Sequence, residues 1–395
     1  MATRDVVILS AVRTAVGNFG GSLRDISANV LGGIVIREAV RRAALPPDEV
    51  DEVIMGNAIG AGLGLNPARA ATLEGGLDVE TPAYTANQAS GSGLKAVALA
   101  AQAVKAGEAE VVVAGGMESM SGAPYLLPRA RWGQRLGHGE VLDSMILDGV
   151  TCPTTRTRLG LYAESIAADM GITREEQDRF ALRSHMNAVA AIDAGRFVSQ
   201  IVPTPVPRAK GEPELFALDE HPKRDTSMEA LARLKPSFKP GGSVTAGNSS
   251  GITDGAAAVV VTTWQKADRL GVRPMAVIRS SASAGVEPTE MGLGPVPACR
   301  IALERAGLKF DDIDLIDFNE AFAAQALGAL KLMGADLARV NIYGGAIAIG
   351  HPIGACGART LVTLLYALRD TGKRFGLDTL GIGGGQGVTL IVERV

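Results

Sequence analysis

Two stretches far apart in the chain are written in the same grammar. "SGSGLKAVALAAQAVKAGEAEVVVAGG" (90–116) is a glycine-opened helical pattern, a short link and an apolar strand that ends on glycines. "IGACGARTLVTLLYALRDTGKRFGLDTLGIGGG" (353–385) has the same element order and the same glycine placement. A repeated unit of this kind predicts internal duplication of a βα motif. The surrounding sequence agrees. "DVVILSA" and "VDEVIMGNA" read as buried strands on either side of the amphipathic helix "SANVLGGIVIREAVRRA". In the last third, "MAVIRSSASAG" is a strand, "PVPACRIALERAG" a helix, "IDLIDFNEAFAAQALGALKLM" a strand running into a helix, and "DTLGIGGGQGVTLIVERV" a closing hairpin. Strands alternating with helices predict an α/β fold of sheets covered by helices.

Between about Ser121 and Val244 the texture changes. "PRARWGQRLGHGE", "PTPVPRAKGEPELFALDEHPKRD" and the charged helix "TREEQDRFALRSHMNAVAAIDAG" have no counterpart in the second half. This region reads as an insertion on the duplicated scaffold, a lid or substrate-binding loop domain.

With 395 residues, 47% of them hydrophobic, the chain can bury a large core. A net charge of −3 gives no reason to expect nucleic acid or an acidic membrane surface as partner. No apolar run reaches the length of a membrane span, and the N-terminus lacks a signal-peptide pattern. Cys152, Cys299 and Cys356 have neither metal-ligand spacing nor a disulfide framework, so no metal is expected and a reducing cytoplasm is the default location.

The 49 glycines cluster after apolar strands, where backbone can approach a ligand closely, and they mark the expected site. Ser90 stands at the head of one such helix. It reads either as an N-cap or as a nucleophile favoured by the helix dipole, with Asn87 a competing cap and Gly91 and Gly93 clearing bulk beside the hydroxyl. Of the four histidines, His138, His185 and His221 lie in polar surroundings and read as surface residues. His351, between glycine and proline ahead of the duplicate helix, is the favoured general base. Asn319 and Glu320 end an apolar strand; they read as a helix cap and its reinforcement, or as an amide at an oxyanion site. "GIGGGQG" is followed by a strand, which argues against a nicotinamide enzyme.

Nine stretches in order resemble the thiolase family, most closely its acetyl-CoA acetyltransferase branch. They are "VRTAVGNFGGSL", "GNAIGAGLGLNPARAA", "NQASGSGLKAV", "AGGMESMSGAPY", "TAGNSSGITDGAAA", "GPVPA", "NEAFAAQAL", "GGAIAIGHPIGACGAR" and "GIGGGQG". The resemblance covers essentially the whole chain. It implies a duplicated thiolase fold in αβαβα layers, with residues 1–120 and 245–271 as the N-terminal half and 272–395 as the C-terminal half. Residues 121–244 would be the loop domain that binds coenzyme A.

By the same resemblance the position of Ser90 normally holds an acyl-accepting cysteine, and that of Gly381 a second, proton-moving cysteine. His351 would activate the nucleophile and later line an oxyanion hole, and Asn319 would position the water of the other oxyanion hole. Ser250 would contact the pantetheine arm, Lys223 or Arg224 would meet the nucleotide end, Ala246 would belong to the same substrate and coenzyme A site, and Ala321 and Phe322 would form the pocket wall. Arg158 and Leu159 stand where short-chain relatives often carry His-Met, and Ala89 where bulkier apolar residues are common, both hints of a reworked acyl pocket. No resident cofactor is implied; an acyl-CoA such as acetyl-CoA is the substrate, and a homodimer or homotetramer the assembly.

The two departures change the chemistry. A thiol has a pKa of about 8.5, whereas a serine hydroxyl is far weaker as an acid and depends on its base throughout. Gly381 has no proton to give. Cys356 is close by in sequence but reads as a core residue behind His351. Three readings stay open at this point: a Ser90-dependent acyltransferase or hydrolase, a catalytically silent acyl-CoA or partner binder, and a thiolase whose cysteines were replaced to trap a ligand.

Overall fold

The computed structural model describes residues 5–208 and 210–395. The first half builds β1 (Val6–Thr14), α1 (Ala28–Arg42), β2 (Glu52–Gly56), α2 (Pro67–Glu74), β3 (Ala83–Ala86), α3 (Ser92–Ala106) and β4 (Val111–Ser119). Two helices of the intervening region, α4 (Leu159–Asp169) and α5 (Arg174–Asp193), precede β5 (Thr253–Thr263). The second half builds β6 (Ala276–Gly285), α6 (Pro295–Ala306), β7 (Leu315–Phe318), α7 (Ala323–Met333), α8 (Cys356–Thr371), β8 (Phe375–Ile382) and β9 (Gln386–Arg394).

The strands form one path in the order β7-β8-β9-β6-β1-β5-β4-β2-β3. Its centre is the antiparallel pair β1 and β6, joined at Val7↔Val277 and Ile8↔Ala276. Reading outward, each half repeats the same pattern: β1, β5, β4, β2 on one side and β6, β9, β8, β7 on the other. The first two pairings of each half are antiparallel, and β4 with β2 and β8 with β7 are parallel. Even the outermost strand β3 has an echo, a parallel bridge of Ile316 to Val340. The internal duplication expected from the sequence is therefore present, with α3–β4 and α8–β8 in matching places.

Strand alternation explains the layers. Along β5, Ala257, Val259 and Val261 face one core while Ala256, Ala258 and Val260 face another. A strand buried on both faces needs such an unbroken apolar run. The central core packs α3 against α8 between the two half-sheets, with Leu94 and Val97 from one helix and Leu361 and Leu364 from the other. From Cys356 to Leu368 every residue of α8 is buried, as expected for a helix enclosed on all sides. α1 and α2 cover the outer face of the first half-sheet, and α6 and α7 that of the second.

The two halves differ at one connection. β8 turns into β9 through residues 383–385, where Gly384 and Gly385 take φ +87° and +85°, a left-handed conformation that glycine adopts without strain. The matching connection from β4 to β5 is the whole of residues 120–252. Among the described residues no helix is long and apolar enough to cross a membrane.

Candidate active site

Ser90 lies just ahead of α3. Ala89 before it takes φ +45°, uncommon for a residue with a Cβ, and Asn87 Oδ1 holds this bend by accepting the Ala89 N–H at 2.9 Å. The helix start is tied by Ser92: its hydroxyl donates to the Ala89 carbonyl at 2.6 Å and accepts the Gln88 N–H at 2.8 Å. Ser90 is thus relieved of capping, and its Oγ lies 3.1 Å from His351 Nε2. Gly91 and Gly93 serve packing rather than clearing space beside the hydroxyl. A Cβ on Gly91 would crowd the Ile382 side chain, and one on Gly93 would lie 2.8 Å from the Ala358 backbone nitrogen.

His351 reaches this position on a tightly held loop. Its N–H donates to the Gly251 carbonyl at 3.0 Å. Three residues on, the Gly354 N–H donates to Glu118 Oε2 at 2.7 Å, and the same buried carboxylate accepts from Asn57 Nδ2 and from the Ala58 and Ile59 N–H groups. Burial pushes Glu118 up to about 7 despite these bonds. Burial, with Arg359 adding to it, lowers the His351 pKa to about 3, so the imidazole is neutral throughout the physiological range. A neutral ring can accept the Ser90 proton.

Ser90, His351 and Gly381 line one cavity of ≈ 160 Å³. Arg158, Leu159, Ser250, Ala321 and Phe322, all singled out in the sequence, line it too. Lys223 and Ala246 line a neighbouring cleft with His185, His221 and Gly247. The two spaces adjoin along the chain, since Gly247 borders one and Ser249 to Gly251 the other.

Several expectations need correction. Arg224 lies on neither surface; it is exposed and pairs with Asp193 at 2.7 Å. Asn319 is fully buried, caps no helix and is not part of the cavity lining; its Oδ1 accepts from Cys356 Sγ at 3.2 Å, and its Nδ2 has no partner. Glu320 does not reinforce a helix start. It accepts from Ser184 Oγ and Asn341 Nδ2, both at 2.7 Å, and fastens α5 to the second half. His185 is only 3% exposed and His221 half-buried; their rings lie 6.4 Å apart, tilted by 38°, in the lining of the neighbouring cleft. Ala89 packs toward the central core rather than lining the cavity.

Other lining residues carried no sequence signal of function. Met120, Ile146, Val150 and Ile353 form an apolar wall contributed by both halves and by the intervening region. Such residues look like ordinary core until the chain is folded. Cys356 is buried as expected, and burial pushes its thiol up to about 12. That disqualifies it as a ready nucleophile.

Comparison with known proteins gives one answer. Residues 6–265 match the family model "Thiolase, N-terminal domain" and residues 272–394 match "Thiolase, C-terminal domain". The chain is 53% identical to an acetyl-CoA acetyltransferase of Syntrophomonas wolfei, over 100% of both chains. It is also 53% identical to one from Escherichia coli K12, over 99% of this chain and 100% of the relative. A crystal structure of the Bacillus anthracis acetyl-CoA acetyltransferase is similar with a TM-score of 0.97 at 43% identity, covering 100% of both chains. The duplicated half-sheets, the intervening region between β4 and β5 and these matches together make the chain a member of the thiolase family.

Proposed function

We propose that this protein is a coenzyme A thioester acyltransferase of the thiolase type in which Ser90 takes the acyl group. The observation that carries this reading is the 3.1 Å contact of Ser90 Oγ with His351 Nε2 inside the largely apolar cavity. Ser90 Oγ attacks the thioester carbonyl while His351 takes the hydroxyl proton and passes it to the leaving thiolate. The product is an acyl ester on Ser90 and free coenzyme A. The N-terminus of α3, 15 residues long, faces the reacting oxygen with its partial positive charge. Pantetheine runs past Ser250, Ala321 and Phe322, and the nucleotide end extends over the cleft of Lys223 and Ala246. In this reading residues 121–244 act as the coenzyme A-binding loop domain between the two thiolase halves.

The relatives named above are acetyl-CoA acetyltransferases, which supports acetyl-CoA as the first substrate to try. Incubation with acetyl-CoA followed by intact-mass measurement is expected to show one acetyl group on the protein or stoichiometric release of coenzyme A. Ser90→Ala is expected to lower either signal at least a thousandfold, the scale on which loss of a serine nucleophile acts. Gly381, which has no proton to move, favours a second reading as a silent acyl-CoA binder. Tight binding with neither adduct nor coenzyme A release would select it and refute the first.

The neutral His351 sets the pH dependence. A base of pKa about 3 is already unprotonated at pH 5, so acylation should vary by less than about twofold between pH 5 and pH 8. A histidine of ordinary pKa, about 6.5, would lose roughly tenfold as the pH falls from 7.5 to 5.5. Single-turnover rates across that range decide between the two.

A further inference from the structure

Gly381 is more than a missing thiol. It lines the same cavity as Ser90 and His351, and the groups around its bare Cα are polar. The position a Cβ would occupy lies 3.1 Å from the Met291 carbonyl oxygen, 3.3 Å from Gln325 Nε2 and 3.6 Å from the Gly292 carbonyl oxygen. Gln325 is 1% exposed and donates to that Gly292 carbonyl at 3.2 Å, while its Oε1 is buried with no partner. A water held beside Gly381 would accept from Gln325 Nε2 and donate to the Met291 carbonyl, the two polar groups nearest the missing Cβ.

The rest of the lining limits what else the site can do. Among the described residues, its only ionisable side chains are His351 and Arg158. With no thiol or carboxylate in the lining, nothing beside His351 can remove a proton from a carbon acid. An acyl ester on Ser90 therefore has two partners within reach: the returning coenzyme A thiol, for which transfer from an oxygen ester is uphill, and water.

From these observations, and resting on the reading that Ser90 is acylated, we propose that the niche between Gly381 and Gln325 holds the water that hydrolyses the acyl-Ser90 ester. The protein is then an acyl-CoA thioesterase built on a thiolase scaffold. In the first step the Ser90 Oγ–carbonyl bond forms, the carbon–sulfur bond breaks, and the serine proton travels through His351 Nε2 to the departing sulfur. In the second the water oxygen bonds to the carbonyl carbon and the carbon–Oγ bond breaks. One water proton returns through His351 to Ser90 Oγ. The sum is acyl-CoA plus water giving a carboxylic acid and coenzyme A, with no further reactant. The apolar wall of Met120, Ile146, Val150 and Ile353 fits a hydrocarbon acyl group, so acetyl-CoA and butyryl-CoA are suitable probes.

The test is a thioesterase assay on the full chain in oxygen-18 water, with intact mass followed in parallel. The expected result is release of coenzyme A and acid in equal amounts, with one labelled oxygen in the acid. Gly381→Cys, which fills the niche, is expected to slow acid release at least tenfold while acyl-protein accumulates. Gln325→Leu is expected to act in the same direction without slowing the acylation burst. Gly381→Ala, with circular dichroism of every variant, controls for folding and is expected to fall between wild type and Gly381→Cys. Acyl-protein that persists in the wild type, or acid release unaffected by both Gly381→Cys and Gln325→Leu, overturns the water niche while leaving Ser90 acylation intact. Absence of both acyl-protein and coenzyme A release overturns the Ser90 reading itself.

Discussion

Replacing Ser90 and Gly381 together by cysteine is expected to raise coenzyme A-dependent cleavage of acetoacetyl-CoA at least a thousandfold over the wild type. The two substitutions supply different things. A thiol at position 90 has a pKa near 8.5 in water, so its anion is reachable at neutral pH, and its acyl product is a thioester that exchanges freely with coenzyme A. A thiol at position 381 supplies the second proton carrier that the cavity lining lacks. Either change alone leaves half the cycle missing. Ser90→Cys acylates with nothing to protonate the departing carbon, and Gly381→Cys moves protons beside an ester that returns poorly to sulfur. The pair should therefore be far more active than the product of the singles, as for groups that act as a unit. The added Cβ would stand 3.1 Å from the Met291 carbonyl oxygen and 3.3 Å from Gln325 Nε2, so each neighbour must give by a few tenths of an ångström. Loss of acetoacetyl-CoA enolate absorbance measures the outcome. A folded double variant at background rate would mean that more than two thiols separates this site from thiolase chemistry.

The arrangement that makes this experiment meaningful was partly legible in the sequence. The closing hairpin read from "DTLGIGGGQGVTLIVERV" is present as β8 and β9, while the strand β5 goes unread, although its unbroken apolar run is what lets the structure split it between two cores. The glycine-opened helices announce the duplication, and the duplication is what allows Ser90 to meet His351 across 261 positions. What stayed hidden depends on contacts with no local signature. Glu118 looks like the polar end of a strand, yet it holds the loops at 57–59 and 354 together. Glu320 looks like a first-turn carboxylate until Ser184 arrives from α5. His185 sits in a charged stretch, but one face of its helix is buried. A side chain's neighbours in sequence describe its own element, whereas its role here is set by the element packed against it.

Gly116→Ala is expected to lower the unfolding free energy by about 3 kcal/mol or more and to cut any Ser90-dependent activity about a hundredfold, though residue 116 touches neither substrate nor catalytic group. Gly116 is in β4, where the loop that carries His351 crosses the strand. A Cβ there would run into the Gly354 carbonyl oxygen and stand 2.8 Å from the Ala355 Cα. Both obstacles are backbone, so no rotamer change relieves the clash. The loop cannot simply retreat. The Gly354 N–H is held by Glu118 at 2.7 Å, and Gly354 itself lies so close to the 57–58 backbone that a Cβ on it would come within 2.7 Å of the Asn57 Cα. Strain at Gly116 must therefore spread either into β4 or toward His351, three residues away along the loop. A displacement of about 1 Å in the imidazole is enough to lose the 3.1 Å contact with Ser90. Gly60→Ala provides the control, since its Cβ would meet only Asn57 Oδ1 at 3.4 Å. Urea denaturation and acyl-enzyme formation measured on both variants check the expectation. Equal behaviour of the two would show that the His351 loop is far more yielding than its packing indicates.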